Sequence, residues 1–164
     1  LFVGTEAVLH RIAEADVVAF LDFDQELLAP RYRAGEEAMA LLIRAARLAG
    51  PRDGGGRVLV QTRMPEHEVL EAVLHADPRR AAIPELARRR ALQQPPASYW
   101  AVVSGASAPT FIERLSSPVG LEVLGPTDGK WRVSSNDRDV LLDALAVVDR
   151  PGGRLRVEVD PLRA

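Results

Sequence analysis

Leu121-Glu122-Val123-Leu124-Gly125-Pro126-Thr127-Asp128-Gly129-Lys130-Trp131-Arg132-Val133-Ser134-Ser135 is the stretch from which the fold of this chain is read. Strand-like runs over 119–125 and 130–135 flank Asp128-Gly129, a pair that accepts the positive backbone angles of a tight hairpin turn. Working outward, 98–104 reads as a strand and 108–116 as a helix before the hairpin, with a helix over 137–148 and a strand over 154–159 after it. The order is β-α-β-β-α-β, the split ferredoxin-like arrangement. Alternation places Trp131 and Val133 on one face of their strand and Lys130 and Arg132 on the other; Leu155, Val157 and Val159 likewise oppose Arg154 and Arg156.

Upstream the period is different. Strands over 1–5, 16–22 and 57–62 and a helix over 34–49 predict an α/β arrangement with a parallel sheet, because strands rich in Val, Leu and Phe on both faces need helices on both sides. Leu1-Phe2-Val3-Gly4-Thr5 reads as the end of a buried strand, so the chain is expected to be a piece of a longer protein. Pro65 fits the first position of a further helix with Glu66 and Glu68 near its positive end. Asp77-Pro78 marks another helix start, leading to Arg88-Arg89-Arg90 and stopping at Pro95-Pro96. The domain boundary is placed there, giving 1–94 and 95–164.

At 164 residues, with 47% hydrophobic and 27% charged side chains, the composition is that of an ordinary globular chain, and no apolar run approaches the roughly 20 residues of a membrane helix. The absence of Cys removes disulfides, thiolate metal sites and cysteine nucleophiles, and points to a cytoplasmic protein. A net charge of −2 argues against a wholly basic nucleic-acid binder while leaving room for a local basic strip. Lys130 is the only Lys, so the positive charge is almost all Arg.

Few residues carry chemistry by spacing alone. The glycine-rich run Gly50 to Gly56 lacks the Gly-Lys-Ser/Thr ending of a phosphate loop and follows a helix instead of a strand, so it reads as a flexible connector. Asp22 and Asp24 have no third partner for a magnesium ion and read as turn formers. His10, His67 and His75 do not share the spacing that puts two imidazoles on one helix face, and no metal site is expected. Arg88, Arg89 and Arg90 fit either a phosphate grip or simple compensation of a helix dipole. A sheet face with Lys130, Arg132, Arg154 and Arg156 fits either a nucleic-acid backbone or a solvated or docked surface. It lacks the aromatic pair of an RNA-recognition sheet.

Several pieces occur in a telling order: Gly4-Thr5-Glu6, Asp16-Val17-Val18, Leu21-Asp22-Phe23-Asp24, Arg33 and Glu36, Val60-Gln61-Thr62 with Pro65-Glu66-His67, Arg89-Arg90 ahead of Pro95-Pro96, Leu124-Gly125-Pro126, and Val159-Asp160-Pro161. Together they resemble the primosomal protein N′ family, the PriA-type replication-restart DNA helicases. The resemblance implies that 1–94 is the C-terminal portion of the second helicase lobe and 95–164 the small C-terminal domain. In the family, that domain contacts DNA and the single-strand-binding protein.

The helicase motifs are degenerate. Where the family continues Gly4-Thr5 to a Lys-Gly pair, this chain has His10 and Arg11. The arginine-bearing motif falls on Arg44 through Pro51, with Leu48 and Pro51 at the two arginine positions. A fixed guanidinium there is worth on the order of 10³–10⁵ in rate, and Arg47, one residue early, lies about 100° round the helix. The expectation is a fragment that binds forked or single-stranded DNA and partners such as single-strand-binding protein or other primosome components, without helicase activity. Its expected DNA contacts are Lys130, Arg132, Arg154 and Arg156, with Arg88, Arg89 and Arg90 as a second patch. No cofactor is expected in the fragment; ATP and zinc are what the resemblance implies for the parent. Two other readings stay open, a fragment of an active ATP-dependent 3′-5′ helicase and a protein-docking module without affinity for DNA.

Overall fold

Ala38, Leu42 and Ala45 recur along one stripe of a helix that runs from Ala34 to Ala49, and that stripe organises the first part of the molecule. The computed structural model describes residues 1–115 and 118–161, which divide into the compact units Leu1–Ile83 and Pro84–Ala164. In the first unit, strands β1 (Val17–Phe20) and β2 (Arg57–Val60) pair in parallel, Val18 opposite Val58 and Phe20 opposite Val60. Helices α1 (Asp24–Leu27), α2 (Ala34–Ala49) and α3 (Glu68–Leu74) pack with them. Phe23, Leu27, Ala38, Leu42, Val69 and Leu70 form the main core, and Leu9, Val18 and Ala45 a smaller one.

The second unit begins inside α4 (Arg79–Ala91) and continues with β3 (Tyr99–Ser104), α5 (Ala108–Arg114), β4 (Leu121–Thr127), β5 (Lys130–Ser135), α6 (Arg138–Val147) and β6 (Arg156–Val159). Its four strands lie in the order β4-β5-β3-β6, every neighbouring pair antiparallel, as the split βαββαβ reading requires. Asp128 (φ +50°) and Gly129 (φ +72°) make the expected turn between β4 and β5. Both crossover helices cover one face, where Ala101, Val103, Phe111, Val133 and Leu141 are buried together. Gly105 is needed where the β3–α5 turn meets the segment before β6: a Cβ there would lie 2.4 Å from the Arg154 carbonyl oxygen.

Two expectations are corrected. Residues 1–5 form no strand; Leu1, Phe2 and Val3 are exposed, no described strand pairs with them, and Glu6–His10 is a short 3₁₀ helix. An apolar run becomes a strand only where a ladder partner accepts its backbone, and β1 finds that partner in β2. Pro65 does not open α3 either. The helix starts at Glu68 because the His67 ring caps it, Nδ1 accepting from the Val69 amide at 3.2 Å. Ser116, the last residue of the helix expected over 108–116, lies outside the described residues.

Candidate nucleic-acid interface

The face of the second unit's sheet opposite α5 and α6 is built from alternate residues of four strands. The ladder puts Lys130 and Arg156 on either side of Ser104, about 10 Å apart by strand spacing. The next row is Leu124, Arg132, Val102 and Glu158; the third is Glu122, Ser134 and Trp100. Lys130 and Arg156 are exposed. Glu158 pairs with Arg156 at 2.7 Å, a contact that competes with any phosphate for the same guanidinium.

Arg132 behaves differently. It is half-buried, its guanidinium carbon lying 4.4 Å from the centre of the Trp100 ring. Its Nε is wholly buried without a hydrogen-bond acceptor. Trp100, only 4% exposed, is held from below by its own Nε1, which donates to the Gln93 carbonyl at 3.0 Å, and the Ser98 hydroxyl donates to the same oxygen. Beside this pair is a cavity of about 270 Å³ whose lining includes Gln93, Glu122, Ser134 and Asn136. Sequence reading missed Trp100 and the cavity. β3 carries apolar residues on both faces, so alternation could not say which one Trp100 occupies.

The remaining expected residues fall in different surroundings. Arg154 is exposed but precedes β6 and so stands outside the strand rows. In α4, Arg88 pairs with Glu85 at 2.6 Å, and Arg89 is buried, donating to Glu85 at 2.7 Å and to the Pro95 carbonyl at 2.9 Å. Arg90 is exposed on the same helix. Burial pushes the Glu85 carboxyl up, but the Arg89 and Arg88 donors outweigh it and hold it below its ordinary value. Arg89 therefore works as a structural clamp between α4 and the turn that follows.

In the first unit, Asp24 accepts from the Thr62 hydroxyl at 2.5 Å and from the Arg63 amide at 3.1 Å, which lowers its pKa. Asp22 accepts from Gln25 at 2.6 Å. Both carboxylates are engaged in turns, and among the described residues no group of three His, Asp or Glu is placed to hold a metal ion. No described helix is long and apolar enough to cross a membrane.

No family model matches the chain. Curated relatives do, among them two replication restart proteins. The replication restart protein PriA of Haemophilus influenzae is 27% identical over 139 residues, 77% of this chain and 19% of that protein. The replication restart protein PriA of Treponema pallidum is 32% identical over 114 residues, 63% of this chain and 17% of that protein. The chain is related to PriA. It spans less than a fifth of the length of these PriA relatives. At the positions marked by the PriA resemblance, Gly4 and Thr5 are exposed ahead of the 3₁₀ helix. Arg44 donates through Nε to the Leu9 carbonyl at 2.7 Å, fastening that helix to α2. Arg47 is exposed in the last turn of α2, whereas Leu48 packs against the small core of Leu9, Val18 and Ala45.

Proposed function

We propose that this chain is the C-terminal part of a PriA-like replication-restart protein whose contribution is to hold DNA and primosome partners, without helicase activity. The observation that carries the DNA-binding half is the exposed row of Lys130 and Arg156 across the sheet face opposite α5 and α6, with Arg132 behind it. Arg154 ahead of β6 and, as a separate patch, Arg88 and Arg90 on α4 are further candidate contacts. The half concerning helicase activity rests on Leu48 and Pro51, which have no guanidinium to offer a triphosphate, and on Leu48 being packed into a core. In this reading the chain needs neither ATP nor zinc of its own.

Phosphate contacts dominate such a surface, so affinity is set by salt more than by sequence. Fluorescence anisotropy with a labelled forked duplex tests it. Lys130→Ala with Arg156→Ala is expected to weaken binding and to lower the slope of log K against log salt by about one unit per cation removed. An unchanged affinity and slope would remove this face from the site. DNA-stimulated ATP hydrolysis by the whole polypeptide would overturn the loss of motor activity and return the chain to the active-helicase reading. Binding of a single-strand-binding-protein tail without affinity for DNA would favour a docking module.

A further inference from the structure

The cavity beside Trp100 has a chemistry that phosphate binding does not use. A pocket for an anion gathers cations and backbone amides and keeps carboxylates away. Among the described residues its lining has one cation, Arg132, and a carboxylate, Glu122, together with Gln93, Ser134 and Asn136, which both donate and accept. Its volume of about 270 Å³ falls just below the usual range of about 300–1,000 Å³ for small-molecule pockets, which suits one flat ring system. The cation is also laid out unusually. The Arg132 guanidinium carbon lies 4.4 Å from the centre of the buried Trp100 ring and the same side chain lines the cavity, and unpaired bases stack on guanidinium planes as they do on aromatic rings.

We propose that this cavity takes one unpaired guanine of a bound DNA strand, stacked on the Arg132 guanidinium with its Watson–Crick edge toward the Glu122 carboxylate. The inference rests on the DNA-binding reading of this face and adds a base preference to it. The choice of base follows from the carboxylate. Two oxygens side by side match two adjacent N–H donors, and guanine alone presents such a pair, at N1 and the N2 amino group. Thymine flanks its single N–H with two carbonyls, and adenine and cytosine set a ring-nitrogen acceptor beside their amino group, so each brings lone pairs against Glu122. Ser134, opposite Glu122 in the ladder, and Asn136 supply donors for the guanine carbonyl. Trp100 is the positioning residue: it fixes the plane on which the base rests.

The test uses the full chain and labelled single strands of ten thymidines, with or without one central dG, dA or dC, at fixed salt. The dG strand is expected to bind roughly tenfold more tightly than the all-dT strand, the discrimination typical of one good bidentate pair. Glu122→Gln is expected to erase that difference, because an amide turns one acceptor into a donor facing N1–H or N2–H. Glu122 is exposed, so this variant folds as the parent does. Lys130→Ala should weaken dG and dT strands alike. Equal affinity for all four strands, or a dG preference that survives Glu122→Gln, overturns the base site and leaves DNA binding standing. No binding to any strand at low salt overturns the DNA-binding reading, and the base site with it.

Discussion

Three consecutive arginines in α4 have three different fates, which residue type alone does not reveal. Arg88 meets Glu85, Arg89 is buried against Glu85 and the Pro95 carbonyl, and Arg90 points to solvent. Removing a buried donor leaves its acceptor unpaired, whereas removing an exposed cation changes little. Arg89→Ala is therefore expected to cost about 1–3 kcal/mol and Arg90→Ala less than about 0.5 kcal/mol, both read from urea unfolding midpoints. Arg90→Ala should instead weaken DNA binding. Equal costs for the two substitutions would show that the clamp contributes nothing. The same distinction limited what the sequence disclosed of the candidate site. Lys130, Arg132 and Arg156 were legible as one face because alternation is a local rule, but the placing of Arg132 over Trp100 depends on a neighbouring strand. No local pattern contains that.

At the scale of elements, legibility tracked how much of an element's cause is local. α2 was readable: its apolar stripe has the helical period and Gly50, at φ +73°, ends it. The β4–β5 hairpin was readable because Asp128-Gly129 fixes its own turn. The run at 1–5 was not, since nothing in Leu1-Phe2-Val3 says whether a partner strand exists. The start of α3 was misplaced because His67 is an uncommon cap and Pro65 a familiar signal. α6 shows a local cause with a measurable size. Asp137 caps it, Oδ1 accepting from the amides of Asp139 at 2.8 Å and Val140 at 3.3 Å. Asp137→Ala is expected to destabilise the second unit by about 1 kcal/mol and Asp137→Ser by much less, measured by thermal or urea unfolding. A Ser variant as unstable as the Ala variant would mean that the carboxylate acts by something other than capping.

Across the whole molecule, three carboxyls among the described residues are held below their ordinary values. Asp24 is lowered by the Thr62 hydroxyl and the Arg63 amide and Asp77 by the Arg79 side chain, both in the first unit. Glu85, in the second, is lowered because its two arginine donors outweigh its burial. A depressed folded pKa means that the unfolded chain takes up the proton first as pH falls. The stability contributed by each group is thus present above its ordinary value, 3.8 for the aspartates and 4.5 for the glutamate, and is lost as pH falls through the folded value. Melting temperatures should be flat above about pH 6 and fall below about pH 4. Asp24→Asn removes the charge that the Thr62 and Arg63 donors serve, so it should lower Tm at pH 6 and flatten the acid limb. As pH falls through the lowered pKa of Asp24, variant and parent should converge. A Tm difference that does not narrow on acidification, even where the parent's own acid limb has fallen, would mean that the Asn amide fails for steric reasons and that the carboxylate charge contributes no stability.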